Sequence, residues 1–117
     1  MARVYKQEGI TIVEIDAEYD SLDIVKLNDL GQVLLGAVAQ ADPPKVLLDM
    51  GRTTFIGSHF LGLLIRAWKR LRDRHGELAV CHVNEVCGDV LRASKLDMIW
   101  QIFPDRDTGV ARLRQPL

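Results

Sequence analysis

The stretch spanning residues 45–74 limits the possible architectures most sharply. After the helix-breaking pair Pro43-Pro44, Lys45-Val46-Leu47-Leu48-Asp49-Met50 has strand length and apolar residues at both parities. Successive strand side chains point to opposite faces, so such a strand has to be covered on both sides. A short connection, Gly51-Arg52-Thr53-Thr54-Phe55-Ile56, leads to Gly57-Ser58 and an amphipathic segment from Phe60 to Leu71. The pattern is a buried strand, a turn, and a helix opening on a serine. Serine is a favoured N-cap, because its hydroxyl accepts a bond from an unpaired backbone N–H one turn on. The positive end of the helix dipole would stand beside that hydroxyl, a place that tolerates an added anion.

The flanking sequence extends this unit. Residues 3–8 alternate weakly and residues 10–15 more clearly, with Ile10, Ile12, Val13 and Ile15 as inward candidates. With Gly9 between them they read as an antiparallel hairpin. Residues 16–25 supply Asp and Ser as turn and cap candidates. A helix is expected from about Asp23 to Gln40, with Leu27, Leu30, Leu34 and Val38 on one apolar face that Val33 and Leu35 widen. Gly31 and Gly36 lower its propensity by about 1 kcal/mol each, which closer approach to a neighbour would offset.

After Ser58, the expected core stripe is Leu61, Leu64, Ile65, Trp68 and Leu71, and Gly76 fits a glycine C-cap. Residues 78–83 read as a second buried strand. Asn84 is placed to cap a helix carrying Val86, Val90 and Leu91, and residues 98–103 read as a last strand stopped by Pro104. Asp105 or Asp107 would cap a short final helix holding Val110 and Leu113. A hairpin followed by alternating helices and strands predicts an α/β fold. Its mixed β-sheet would start with an N-terminal antiparallel hairpin and continue in parallel strands joined by right-handed crossovers, with about four helices. A length of 117 residues suits a single domain, 1–117.

Charge and composition exclude several function classes. Fifteen basic residues against sixteen acidic ones leave a net charge of −1, with no general pull toward nucleic acid or anionic membrane. The longest apolar run, Val33 to Ala39 with Gly36 inside it, is far too short for a membrane span. Residues 1–8 lack the apolar core of a signal peptide, so a cytoplasmic protein without membrane insertion is expected. Two cysteines, Cys81 and Cys87, suit a reducing compartment. With His82 they match no tetrahedral zinc pattern, and a strand would point Cys81 and His82 to opposite faces. They read as buried structural cysteines, with no metal and no other cofactor.

Around Ser58, the spacing of Gly57 and Gly62 resembles a phosphate-binding loop, but Leu63 and Leu64 stand where Lys-Ser/Thr is required. A hydrolase elbow needs glycines where Ile56 and Phe60 stand. His59 diverges from Ser58 by about 100° on a helix, so no catalytic pair is implied and no enzyme is expected. Arg66, Lys69, Arg70, Arg72 and Arg74, offset by Asp73, form a solvated basic face or a docking patch for an acidic partner. RNA is disfavoured because no aromatic stacking platform accompanies the charges. Phe60, Leu63 and Ala67 form a second apolar stripe, read as a partner contact or as extended core.

The segments Val46-Leu47-Leu48-Asp49-Met50, Phe55-Ile56-Gly57-Ser58 and Leu61-Gly62-Leu63-Leu64 together resemble a STAS domain, the sulfate-transporter and anti-sigma-factor-antagonist fold. Arg70-Leu71 to Gly76-Glu77-Leu78-Ala79-Val80, and Leu91 to Leu96-Asp97, fit the same pattern. The likeness spans nearly the whole chain, which is similar to bacterial anti-sigma factor antagonists rather than to transporter tails. In that family the loop reads Asp-Ser-Ser/Thr-Gly, and a partner anti-sigma factor of the serine kinase type phosphorylates the serine after the Asp. That position is Ser58 here, while Gly57, His59 and Phe60 replace the family's Asp, small hydroxyl residue and Gly.

The resemblance implies partner switching. Unmodified antagonist binds the anti-sigma factor and frees the sigma factor, and phosphorylation ends the binding. The implied partner-binding residues are Gly57, Ser58, His59, Phe60, Leu63, Arg66, Ala67 and Arg70. The departures in the loop motivate an alternative, a phosphorylation-independent STAS scaffold or accessory subunit of a signalling or lipid-transport assembly. No sequence feature selects an oligomeric state.

Overall fold

Glu8 and Gly9 both take positive φ, 51° and 86°, and close a two-residue turn between β1 (Arg3–Gln7) and β2 (Ile10–Glu14). Positive φ at both central positions matches the twist of paired antiparallel strands, and Gln7 accordingly lies opposite Ile10. The computed structural model describes residues 2–16 and 24–115. Residues 17–23, which hold most of the expected turn and cap candidates, lie outside the described residues.

The remaining elements follow as α1 (Ile24–Gln40), β3 (Lys45–Asp49), α2 (Ser58–Asp73), β4 (Glu77–Cys81), α3 (Glu85–Ala93), β5 (Gln101–Phe103) and α4 (Arg106–Leu113). The strands form one sheet in the order β1-β2-β3-β4-β5, antiparallel only between β1 and β2. Among the described residues no helix is long and apolar enough to cross a membrane.

The two parities of β3 enter two different cores. Val46 and Leu48 join Val13, Ile15, Val80 and the helices α1, α2 and α3 on one face of the sheet. Leu47 joins Ile10, Ile12, Ala79, Cys81 and the α4 residues Val110 and Leu113 on the other. This is the double coverage that the apolar run of β3 demanded. Gly31 is the close-approach position in α1, since a Cβ there would meet Leu63 Cδ2 of α2 at 3.0 Å. Gly36, by contrast, is exposed and meets nothing within 4 Å.

Local capping chemistry places α3 and α4 as expected. The Asn84 side chain accepts from Cys87 N–H at 2.7 Å, and Asp105 accepts from Thr108 N–H at 2.7 Å, each satisfying a first-turn donor. Within α3, however, Val86 is exposed, and the buried residues are Cys87, Gly88 and Leu91. The last strand is also shorter than expected. Residues 96–98 form a single 3-10 turn, Leu96 and Trp100 are buried four residues apart, and Met98 and Ile99 are exposed. The Trp100 N–H donates to Leu96 C=O at 2.7 Å, so the apolar residues here follow helical rather than strand spacing.

The end of α2 separates two roles that the sequence assigns to one glycine. His75, not Gly76, holds the left-handed conformation (φ 58°), while His75 N–H donates to Arg72 C=O and Gly76 N–H to Leu71 C=O. That pair of bonds is the Schellman arrangement. Gly76 is required for a different reason, because a Cβ there would lie 2.1 Å from the Pro44 carbonyl oxygen. Gly76→Ala is expected to lower stability by about 2 kcal/mol or more, since backbone and not a flexible side chain has to move. A urea midpoint matching wild type would contradict this.

Candidate functional site

The loop from β3 to α2 is braced from beneath. Asn84 Nδ2 donates to the carbonyls of Thr53 at 3.2 Å and Thr54 at 3.3 Å while its oxygen caps α3. One side chain thus ties the start of α3 to the loop. Ile56 is buried and anchors the loop's far end, and Phe55, next to it, is 46% exposed. Gly57 then takes an extended conformation (φ −85°, ψ 175°) as the N-cap of α2, and Leu61 N–H donates to its carbonyl at 2.9 Å.

Ser58 is therefore the first helical residue and not the cap. Glycine is also accepted at the N-cap, which explains the one-residue shift. Ser58 and His59 are both exposed. The first-turn N–H groups beside the Ser58 hydroxyl have no intrahelical acceptor, so the positive end of the helix does face this position.

The second apolar stripe is core. Phe60 (2% exposed), Leu63 (6%) and Ala67 (0%) pack in the interior with Leu64 and Leu71, which corrects their reading as partner contacts. α2 packs against both the sheet and the neighbouring α1, so its inward arc is wider than one stripe, and Leu63 fills the space above Gly31. The residues expected at the centre of the core, Leu61, Ile65 and Trp68, are only half-buried. They continue the Ser58 face at spacings of three and four, with Gly62, Arg66, Lys69 and Arg70 exposed alongside. Trp68 packs edge-to-face against the buried Trp100 at 6.5 Å, and Arg72 lies over its ring.

Of the candidate contact residues, the structure thus leaves Gly57, Ser58, His59, Arg66 and Arg70 at or near the surface. It adds Phe55, Leu61 and Ile65 as the accessible apolar groups.

A second constellation lies at the C-terminal ends of the parallel strands. Asp49, the last residue of β3, is 6% exposed and accepts from Arg106 Nη2 at 2.5 Å and Nε at 3.2 Å. Arg106 opens α4 and also bonds Glu14, the last residue of β2, at 2.7 Å. The other Asp49 oxygen accepts from Gly51 N–H at 3.0 Å and faces His82 Nδ1 at 3.1 Å. Burial pushes the Asp49 carboxyl up, but the bonds from Arg106, Gly51 and His82 outweigh it and hold the group below its ordinary value of 3.8. Burial likewise pushes the Cys81 thiol up, to about 12. Cys81 and Cys87 are both buried and are not joined in a disulfide.

The depressed Asp49 carboxyl contributes stability that is fully present above its unfolded value and is lost as pH falls through its folded value. Asp49→Asn is therefore expected to reduce stability by about 1–3 kcal/mol at pH 7. It should also remove one proton's worth of the loss seen below pH 4, as read from urea midpoints along a pH series. A variant with the acid dependence of wild type would contradict the pairing.

The chain shares this architecture and much of its sequence pattern with known proteins. The family model described as STAS domain matches residues 1–109. An anti-sigma F factor antagonist of Paenibacillus polymyxa is 25% identical over 107 residues, covering 90% of this chain and 87% of its own. An anti-sigma-factor antagonist (STAS) domain protein from Planctomyces limnophilus superposes with a TM-score of 0.88 at 28% identity, covering 97% of this chain and 98% of its own. The Bacillus cell fate determinant SpoIIAA, in its phosphorylated form, shares the fold with a TM-score of 0.74 at 14% identity, covering 97% of this chain and 100% of its own.

Proposed function

The chain belongs to the STAS family, and we propose that it is an anti-sigma factor antagonist whose docking face is switched by phosphorylation of Ser58. The observation that carries this reading is the position of Ser58, exposed on the first residue of α2 at the end of a braced loop. Phe55, Leu61 and Ile65 give a second protein apolar surface to cover beside it, and Arg66 and Arg70 favour an acidic partner. The partner is an anti-sigma factor of the serine kinase type, met in the cytoplasm, and the protein acts by binding rather than by catalysis.

Phosphate adds about −1.5 to −2 charge, which disrupts a closely packed apolar contact. The N-terminus of α2 accommodates the same charge within the folded chain. Phe60 stands where related loops carry glycine, yet its side chain is buried and presents no obstacle to a kinase. A second reading, a phosphorylation-independent scaffold, draws on Gly57, which offers no carboxylate before the acceptor serine. Pull-down from the native cell with wild-type and Ser58→Asp baits separates the two. Partner switching requires a sigma-binding kinase that wild type retains and the variant loses. Equal recovery on both baits favours the scaffold.

A further inference from the structure

We propose that the chain binds one Zn²⁺ ion through Asp49 Oδ1, Cys81 Sγ and His82 Nδ1, with a water completing the coordination. None of these residues belongs to the Ser58 face. The three ligand atoms lie within 4.8 Å of one another at the C-terminal ends of β3 and β4. Strand alternation would separate Cys81 from His82, but β4 ends at Cys81 and His82 takes a left-handed conformation, φ 56°. A histidine in that region is uncommon, and here it turns the ring back to the side of Cys81 and Asp49. Gly51 leaves the space this requires, since a Cβ there would lie 3.3 Å from His82 Cβ and 3.2 Å from Asp49 Oδ1.

The distances fit a small tetrahedral ion. Zinc arms of about 2.0–2.2 Å to nitrogen and oxygen put neighbouring ligand atoms about 3.3 Å apart, and about 3.6 Å apart where one is sulfur. Asp49 Oδ1 and His82 Nδ1 already stand 3.1 Å apart, and closing the thiol onto them needs a shift of at most about 1.3 Å. The carboxylate is held by groups that do not compete for the ion: Gly51 N–H on the ligating oxygen and Arg106 on the other. Such outer bonds fix ligand orientation in built metal sites.

The charges also balance. Asp49 and Glu14 bring two negative charges against Arg106, which bonds both, while the exposed Arg3 reaches only Glu14, at 3.7 Å. On binding, the Cys81 proton leaves to solvent. The dication then meets one thiolate and one carboxylate, and Arg106 remains paired with Glu14. Sulfur, nitrogen and oxygen together form a borderline-soft donor set, which suits Zn²⁺ over Mg²⁺ or Ca²⁺. His82 is partly exposed and gives the ion a path of entry.

Titration of the purified protein with Co²⁺, a spectroscopic stand-in for Zn²⁺, tests the site. Wild type is expected to develop a thiolate-to-cobalt charge-transfer band that saturates at one equivalent and is abolished by one equivalent of Zn²⁺. Cys81→Ala should lose the band and Cys87→Ala should keep it. His82→Asn keeps a residue that tolerates positive φ and should weaken binding by about tenfold or more. Circular dichroism confirms that each variant is folded. Absence of the band in wild type, its survival in Cys81→Ala, or unchanged affinity in His82→Asn would each overturn the proposal.

Discussion

Ser58→Asp is expected to weaken the complex with the proposed anti-sigma partner by about 10²- to 10³-fold while leaving the fold intact. That loss corresponds to about 3–4 kcal/mol. It follows from placing a charge where Phe55, Leu61 and Ile65 offer apolar surface for a partner to cover. A carboxylate left unpaired in a dry contact is costly, whereas the same carboxylate on free protein stays hydrated. On free protein it also gains about 0.3–1 kcal/mol from the positive end of α2, so the melting temperature should hold or rise slightly. Titration calorimetry on the purified pair, alongside a thermal melt, reads both quantities. Unchanged affinity would leave the scaffold reading standing. A lost fold would show that Ser58 is less accessible than its exposure indicates.

Phe60→Ala carries the largest expected effect on stability. Its ring is 2% exposed in the main core beside Leu64 and Ala67, so truncation removes buried area and leaves a cavity. Buried phenylalanines truncated in this way cost about 3–5 kcal/mol. Stability of small domains is itself only about 5–15 kcal/mol, so the urea midpoint should fall by a large fraction. Leu61→Ala, one residue on, should cost less stability and more partner affinity, because Leu61 is half-buried on the Ser58 face. The opposite ranking would restore the stripe of Phe60, Leu63 and Ala67 to the surface.

These two substitutions mark where reading the sequence succeeds and where it stops. β3 is legible because an apolar run behind Pro43-Pro44 has only one way to be covered. Asn84 and Asp105 are legible because capping is local, its donor three residues from its acceptor. The rotation of α2 is not legible. Phe60, Leu61, Leu63, Leu64, Ile65, Ala67, Trp68 and Leu71 form an arc wide enough to centre on either of two stripes. What decides between them is α1, whose Gly31 admits Leu63, and no feature of α2 itself records that neighbour.

The Asp49–Arg106 pair is similarly invisible, its members 57 residues apart and each unremarkable in its own segment. For Cys81 and His82 the expected strand over residues 78–83 runs two residues past the end of β4 at Cys81, and strand alternation fails where the strand ends. The sequence shows Asn84, the loop's second anchor, only as a cap; its amide has a second function because β4 ends beside β3. Ser58 itself is placed at the mouth of α2 by the strand–turn–helix pattern alone, with an error of a single capping position.

The most direct test of the proposed switch is the intact mass of the protein after incubation with the proposed partner, an anti-sigma kinase, and ATP. Wild type should gain the mass of one phosphate, mapped to Ser58 by fragmentation, and Ser58→Ala should gain none. Wild type that stays at its starting mass beside an active kinase, or Ser58→Ala modified to the same extent, would contradict phosphorylation at this hydroxyl.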